Sequence, residues 1–255
     1  MKISWMSQWT AATLLLASAA GQAQDGAAVT PYRPSVSSPA QLPAAGQLEM
    51  ELGGLSGKSD DGRRNSLPYA LKLGFNEQWG VVLSGEGYVS APADGGRAHG
   101  VGDTLFVLKR AFILSDAAAL GLELGAKAPT ARDSIGSGRA DYSLNGIYSQ
   151  DLGSVHMDAN LNATRLGGYE PGSGRVQTGW SASFSAPVSA RWGATGELSG
   201  TRRSGVDNTA QLLLAASYSP NKRLTLDAGV ARGLNRATPD WLFFSGVVFP
   251  LGQLW

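Results

Sequence analysis

From Gln47 onward the chain repeats one unit about twelve times: roughly ten residues in which apolar side chains alternate with polar or small ones, then a turn. Alternation at period two puts one set on each face of a β-strand and has no use in a helix. The clearest unit sets Leu120, Leu122, Leu124 and Ala126 against Gly121, Glu123, Gly125 and Lys127. Others oppose Leu48, Met50 and Leu52 to Glu49 and Glu51, or Val155, Met157, Ala159 and Leu161 to His156, Asp158, Asn160 and Asn162. One unit is irregular, because Arg110 falls on the apolar side with Phe106, Leu108 and Phe112; the last, residues 241–249, is apolar on both sides. Glycine contributes 34 of 255 residues, roughly twice its ordinary ~7% share. Each glycine weakens a helix interior by about 1 kcal/mol, so composition agrees with the all-β reading.

The connections alternate as well. Short turns fall at Asn76-Glu77, Ser115-Asp116, Asp151-Leu152-Gly153, Pro187-Val188 and Ser219-Pro220-Asn221. Longer glycine- and charge-rich links fall at residues 57–65, 91–102, 131–138, 167–174, 201–208 and 233–240. An even strand number with short turns at one end and longer loops at the other is the construction of an outer-membrane barrel. Residues 47–255 are therefore expected to form a single antiparallel transmembrane β-barrel of about 12 strands. A soluble sandwich or barrel would show the same alternation with the apolar face inside. Aromatic placement argues for the membrane: Phe75, Trp79, Phe112, Tyr148, Phe184, Trp192, Tyr218 and Phe249 lie at short-turn ends, and Trp241 with Tyr69, Tyr88 and Tyr142 at long-loop ends. Two aromatic girdles are expected where rings meet headgroups. Hydrocarbon leaves no partner for a free backbone group, so a strand protein spans it only as a closed sheet.

The chain's beginning agrees with that destination. Lys2, an apolar stretch over residues 11–20 with Leu14, Leu15 and Leu16, and the small closing residues Gly21-Gln22-Ala23 form the pattern of a secretory signal peptide, residues 1–23. Its apolar part is too short to span a bilayer. Residues 24–46 are rich in Pro, Ala and Ser, and Pro31, Pro34, Pro39 and Pro43 exclude a helix or central strand. This segment is either a periplasmic tail or a plug folded into whatever cavity the strands enclose.

Several stretches together resemble one group of outer-membrane barrels, the "Putative MetA-pathway of phenol degradation" family of transporters. They are Arg33-Pro34, Gly46-Gln47-Leu48-Glu49-Met50-Glu51, Gly102-Asp103 with Lys109, Lys127-Ala128-Pro129-Thr130 and Gly136-Ser137-Gly138-Arg139-Ala140-Asp141. The resemblance covers most of the mature chain. It implies a barrel that passes small, often aromatic or apolar, molecules. One departure is Pro250-Leu251-Gly252, which is expected to interrupt the last strand before Trp255.

Other chemistry is thin. There is no Cys, hence no disulfide framework, thiolate metal site or catalytic thiol. Basic residues number 21 against 20 acidic, a balance that excludes a nucleic-acid coat. No metalloprotease, nucleophile-elbow or phosphate-loop motif occurs, so no enzyme, metal or cofactor is expected. Of the two histidines, His99 reads as a solvated loop residue, and His156 could orient Ser181 or Ser183.

The inward set is expected to be Glu49, Glu51, Lys72, Glu86, Lys109, Glu123, Lys127, Asp141, His156, Asp158, Asn160, Arg191, Glu197 and Asp227. Its mixed signs suggest cross-strand pairs that hold the wall. Twelve strands enclose less than an open porin does, so the pore is constricted or plugged by residues 24–46. The sequence thus points to a monomeric channel in the cell outer membrane, in contact with its lipids and a small-molecule solute, delivered by export and barrel-assembly machinery. A closed structural or surface-binding barrel is the contrasting reading, and a lipid hydrolase using His156 a third.

Overall fold

The computed structural model describes residues 26–60, 62–93 and 95–255. The expected signal peptide lies outside the described residues. Every regular element is a strand: β1 (Gln47–Ser59), β2 (Gly62–Gly74), β3 (Trp79–Ala93), β4 (Gly96–Gly100), β5 (Thr104–Ser115) and β6 (Ala118–Ala128). They continue as β7 (Asp141–Leu152), β8 (Val155–Arg165), β9 (Val176–Pro187), β10 (Trp192–Arg203), β11 (Val206–Asn221), β12 (Leu224–Gly233) and β13 (Trp241–Gln253). Each pairs antiparallel with its neighbour, and β1 pairs with both β2 and β13, so the sheet closes. The short β4 only extends the β3 hairpin. Twelve strands make the wall, one for each alternating unit of the sequence.

The two faces are inverted relative to a water-soluble fold. Lys72, Lys109 and Glu49 are 0% exposed, while Leu161 is 72% and Phe243 59% exposed. In water each large apolar side chain so placed would forfeit about 1.5–3 kcal/mol relative to burial; against acyl chains it forfeits nothing. The protein is thus a transmembrane barrel of the outer membrane. Arg110, the misfit of the alternation, faces outward and rests its guanidinium on Trp79 and Phe112, 4.6 and 4.8 Å from the ring centroids. That position lets it keep a charge at the interface.

The short turns stand at one end with both described termini; the Leu254 N–H donates to the Gly46 carbonyl at 2.8 Å. Gly153, at φ +68°, closes the two-residue β7–β8 turn in a backbone conformation that an L side chain would strain. At the other end the strands outrun expectation. Most of residues 57–65 is strand, since β1 continues to Ser59 and β2 resumes at Gly62. Residues 91–102 include β4, and residues 201–208 are a strand hairpin turned at Gly205, φ +71°. The missed signal was continuing alternation in residues that also looked turn-like. Nor does Pro250 end the last strand: it pairs opposite Glu49, and a bulge between Leu48 and Glu49 absorbs the irregularity.

Phe112, Tyr148, Phe184, Tyr218 and Phe249 lie within one turn-ward stretch of their strands, Trp79 and Trp192 open theirs, and Phe75 follows β2. Trp241 opens β13 at the opposite end. Trp192 and Tyr218, opposite each other on β10 and β11, have centroids 4.9 Å apart.

Candidate functional site in the barrel interior

Inward residues two apart stack along the wall, so each strand brings a short column of polar groups to the lumen. Glu49 and Glu51 of β1 flank the Lys72 ammonium of β2 at 2.9 and 2.6 Å. Lys109 of β5 meets Glu123 of β6 at 3.1 Å, and Lys127 of β6 meets Asp141 of β7 at 2.8 Å and Asp103 at 2.9 Å. Glu86 of β3 holds Arg64 of β2 in a two-pronged pair near the long-loop end. A charge removed from water costs several kcal/mol unless it is paired, and these pairs join adjacent strands. Asp103, which precedes β5, also accepts the Ala131 N–H at 3.0 Å. Burial alone would push its carboxyl up, but the Ala131 N–H and then the Lys127 ammonium hold it below the usual carboxylate range.

The interior is not empty. Residues 26–46 cannot add to the sheet, because four prolines withhold N–H donors and break any ladder register. Their remaining backbone donors turn to the wall instead. Val29 bonds to the Lys222 carbonyl in the β11–β12 turn. The Thr30 N–H then donates to Glu49 at 3.0 Å and the Tyr32 N–H to Glu51 at 2.7 Å. Arg33 grips Asp227 of β12. The Val36 and Ser37 N–H groups both donate to Glu197 Oε2 of β10, each at 2.9 Å. Ser38 exchanges two bonds with Asn160 of β8, at 2.8 and 2.9 Å. On the return the Ala40 N–H reaches Ser149 of β7 at 2.7 Å, and Lys109 donates to the Pro39 carbonyl. Lys72 likewise donates to the Thr30 carbonyl. The Tyr32 ring lies beneath both ammonium groups, 4.3 Å from Lys72 and 4.0 Å from Lys109. The segment leaves past Gly74, where Gly46 donates to its carbonyl at 2.8 Å.

Two spaces flank the turning point of this segment, both against β8–β11. Many inward residues there are small: Ser181, Ser183 and Ser185 on β9, Thr195 and Ser199 on β10, and Ser217 and Ser219 near the end of β11. A cavity of about 360 Å³ opens at the short-turn end, lined by Asp151, His156, Ser185, Arg191, Thr195 and Ser217 among others. A second, of about 260 Å³, lies toward the long loops between Val36 and the loop residues Thr238 and Pro239. Asn145, Asn160, Asn162, Ser181, Ser199 and Gln211 help to line it, and no charged side chain does. Val36 lines the upper one, and Val36, Ser37 and Ser38 are tied to Glu197 and Asn160.

Some expected site residues stand elsewhere. Arg191 is not on the wall: β10 starts one residue later, and Arg191 occupies the β9–β10 turn at the mouth of the lower cavity. His156 does not orient Ser181 or Ser183. At the foot of β8 its Nδ1 lies 2.5 Å from Asp151 and its Nε2 3.2 Å from Asp158, and Asp158 accepts instead from Ser149. His99 is part of β4, with its Nδ1 2.9 Å from the Tyr88 hydroxyl. Among the described residues no group of three or more His, Asp or Glu could hold a metal ion. Sequence reasoning missed Arg33 as a wall partner, along with Asp103, Ser149 and Asn145. Arg33 is the one basic residue among the prolines of a neutral segment, and that was the available signal.

Comparison with known proteins gives a family and a fold. The family described as "Putative MetA-pathway of phenol degradation" matches residues 32–251. No curated protein matches the chain. Among solved structures, the chain is similar to the KdgM porin in complex with disordered oligogalacturonate, at 10% identity and a TM-score of 0.58, over 80% of this chain and 99% of that one. The NanC porin gives 9% identity and 0.57, over 80% of this chain and 100% of that one. The CymD monoaromatic hydrocarbon channel gives 9% and 0.51, over 81% of this chain and 88% of that one.

Proposed function

This chain belongs to the MetA-pathway of phenol degradation family, and from that premise we propose that it is a passive outer-membrane channel for small, uncharged molecules, partly closed by residues 26–46. The observation that carries the reading is the pair of cavities along the Ser- and Thr-rich wall of β8–β11, with Val36, whose N–H is held by Glu197, lining the upper one. A track of Ser and Thr leaves room that the Lys and Glu columns of β1–β6 do not. Displacing the segment's tip would join the cavities into one off-axis path.

The upper cavity supports the solute class. A polyanion, such as the oligogalacturonate bound to KdgM, would find no cation among its lining residues. A single uncharged ring, of the kind for which CymD is titled, would meet carbon surface from Val36 and Pro239 with amide and hydroxyl groups at the edges. No bond chemistry is part of this reading, since both nitrogens of His156 face carboxylates. One chain suffices for the path, which agrees with a monomer.

Planar-bilayer conductance and liposome uptake test the proposal, using the full barrel and a version lacking residues 26–46. The expected result is weak conductance that rises in the shortened protein, with uptake of one-ring uncharged aromatics ahead of sugars and well ahead of charged oligosaccharides. Absence of conductance and uptake in both proteins overturns it and leaves the closed structural barrel.

A further inference from the structure

The outer surface carries a charge pattern that solute passage does not use. Within the paired ladders, the described outward-facing positions bear seven Lys or Arg side chains: Lys58, Arg63, Arg97, Arg110, Arg165, Arg202 and Arg232. No Asp or Glu shares that face in the ladders, although the chain is almost neutral overall. Apart from Arg110, all stand at the long-loop ends of their strands. Lys58 stands eleven residue steps above Gln47 at the foot of β1. At ~3.3 Å per residue and ~40° tilt that is a climb of about 28 Å, just above an apolar band ~25 Å tall.

Three of the seven form a continuous row. Arg63 pairs opposite Lys58, Lys58 opposite Trp241, and Trp241 opposite Arg232, so the row crosses four adjacent strands, β2, β1, β13 and β12. Arg232 lies on the Trp241 ring, 4.5 Å from its centroid. Among the described residues none of the three cations forms an ion pair, and Asp60 in the hairpin turn above them bridges to none. Like charges directly opposite on paired strands, here Lys58 and Arg63, destabilise the sheet, and an external anion beside them offsets that repulsion. At this height the adjacent anions are lipid phosphates, which Arg meets with a two-pronged fork and Lys as a point charge.

We propose that Arg63, Lys58 and Arg232, with Trp241, form a docking surface for phosphate-bearing lipid headgroups of the outer leaflet. The surface lies on the lipid side of the wall, so it stands or falls independently of the channel reading.

The test uses the full barrel in neutral detergent, titrated with diphosphoryl lipid A, with its dephosphorylated form, and with inorganic phosphate. Bound lipid is read by native mass spectrometry and the unfolding temperature is followed in parallel. Wild type should bind and be stabilised by the diphosphoryl lipid alone. Lys58→Gln/Arg63→Gln/Arg232→Gln should bind it about a hundredfold more weakly at low salt. Lys58→Arg/Arg63→Lys/Arg232→Lys should retain it, which controls for folding. Equal binding of the dephosphorylated lipid, an equal response to inorganic phosphate, or unchanged affinity in the Gln variant would each overturn the proposal.

Discussion

The Arg33 guanidinium and the Asp227 carboxylate lie 194 positions apart in the chain and meet in a two-pronged pair, Nε to Oδ2 and Nη2 to Oδ1, both at 3.0 Å. The contact ties a segment that precedes the barrel to its penultimate strand. Arg33 also fills the space above two glycines: a Cβ on Gly53 or Gly246 would fall within 2.5 or 2.3 Å of its guanidinium. Replacing Arg33 by Ala should leave Asp227 buried without a partner and lower stability by about 3 kcal/mol. In Arg33→Ala/Asp227→Asn the loss should be much smaller than the sum of the single losses. Urea unfolding of refolded protein in detergent, followed by tryptophan fluorescence, measures both.

Glu197 holds the tip of the interior segment through a single oxygen that accepts two N–H groups. Glu197→Ala removes that acceptor while the wall remains closed by its backbone ladders. Each charge-assisted bond is worth about 1.5–3 kcal/mol, so the tip should detach often enough to raise open probability at least tenfold. Single-channel recording reads this directly. A conductance trace identical to wild type would show that the tip does not limit flow.

Gly74 is a point of close approach. A Cβ there would stand 2.1 Å from the Pro43 carbonyl oxygen and 2.9 Å from that of Ala44, both backbone atoms with nowhere to go. Gly74→Ala should therefore push residues 43–46 off the wall and expose the segment to protease added on the periplasmic side. Gly54→Ala is the control, since nothing lies within 4 Å of its Cβ position. That variant should digest like wild type.

The Asp103 carboxyl sits below its ordinary value of 3.8 in the folded protein. The unfolded chain thus binds the proton more readily, and the stabilisation is fully present above about pH 4 and lost as pH falls through the folded value. Acid should release Ala131 and the connection between β6 and β7. Pepsin cleavage within residues 129–140 should rise steeply below about pH 4 in wild type. In Asp103→Asn the cleavage should be high already and change little with pH.

How much of this was legible depends on the range of the interaction. Each of the twelve wall strands could be read from its own alternation, because a period of two is written locally. Strand ends were less legible: residues 57–65 and 201–208 carry turn-forming residues and a strand pattern at once, and the partner strand decided between them. The partners of His156 were not legible: they are Asp151 and Asp158 rather than Ser181 or Ser183. Asp151, five residues before it, became its neighbour only through the Gly153 turn.

The sequence by itself determined a closed, inverted β-barrel, since alternating apolar side chains in a glycine-rich chain admit a solution in lipid only when every edge is paired. Tertiary structure alone decided what fills the interior. The prolines of residues 26–46 forbid a ladder but do not choose among acceptors. Only closing the ring brings Glu49, Asn160, Glu197 and Asp227, scattered along the chain, within one cross-section where unpaired backbone donors can reach them.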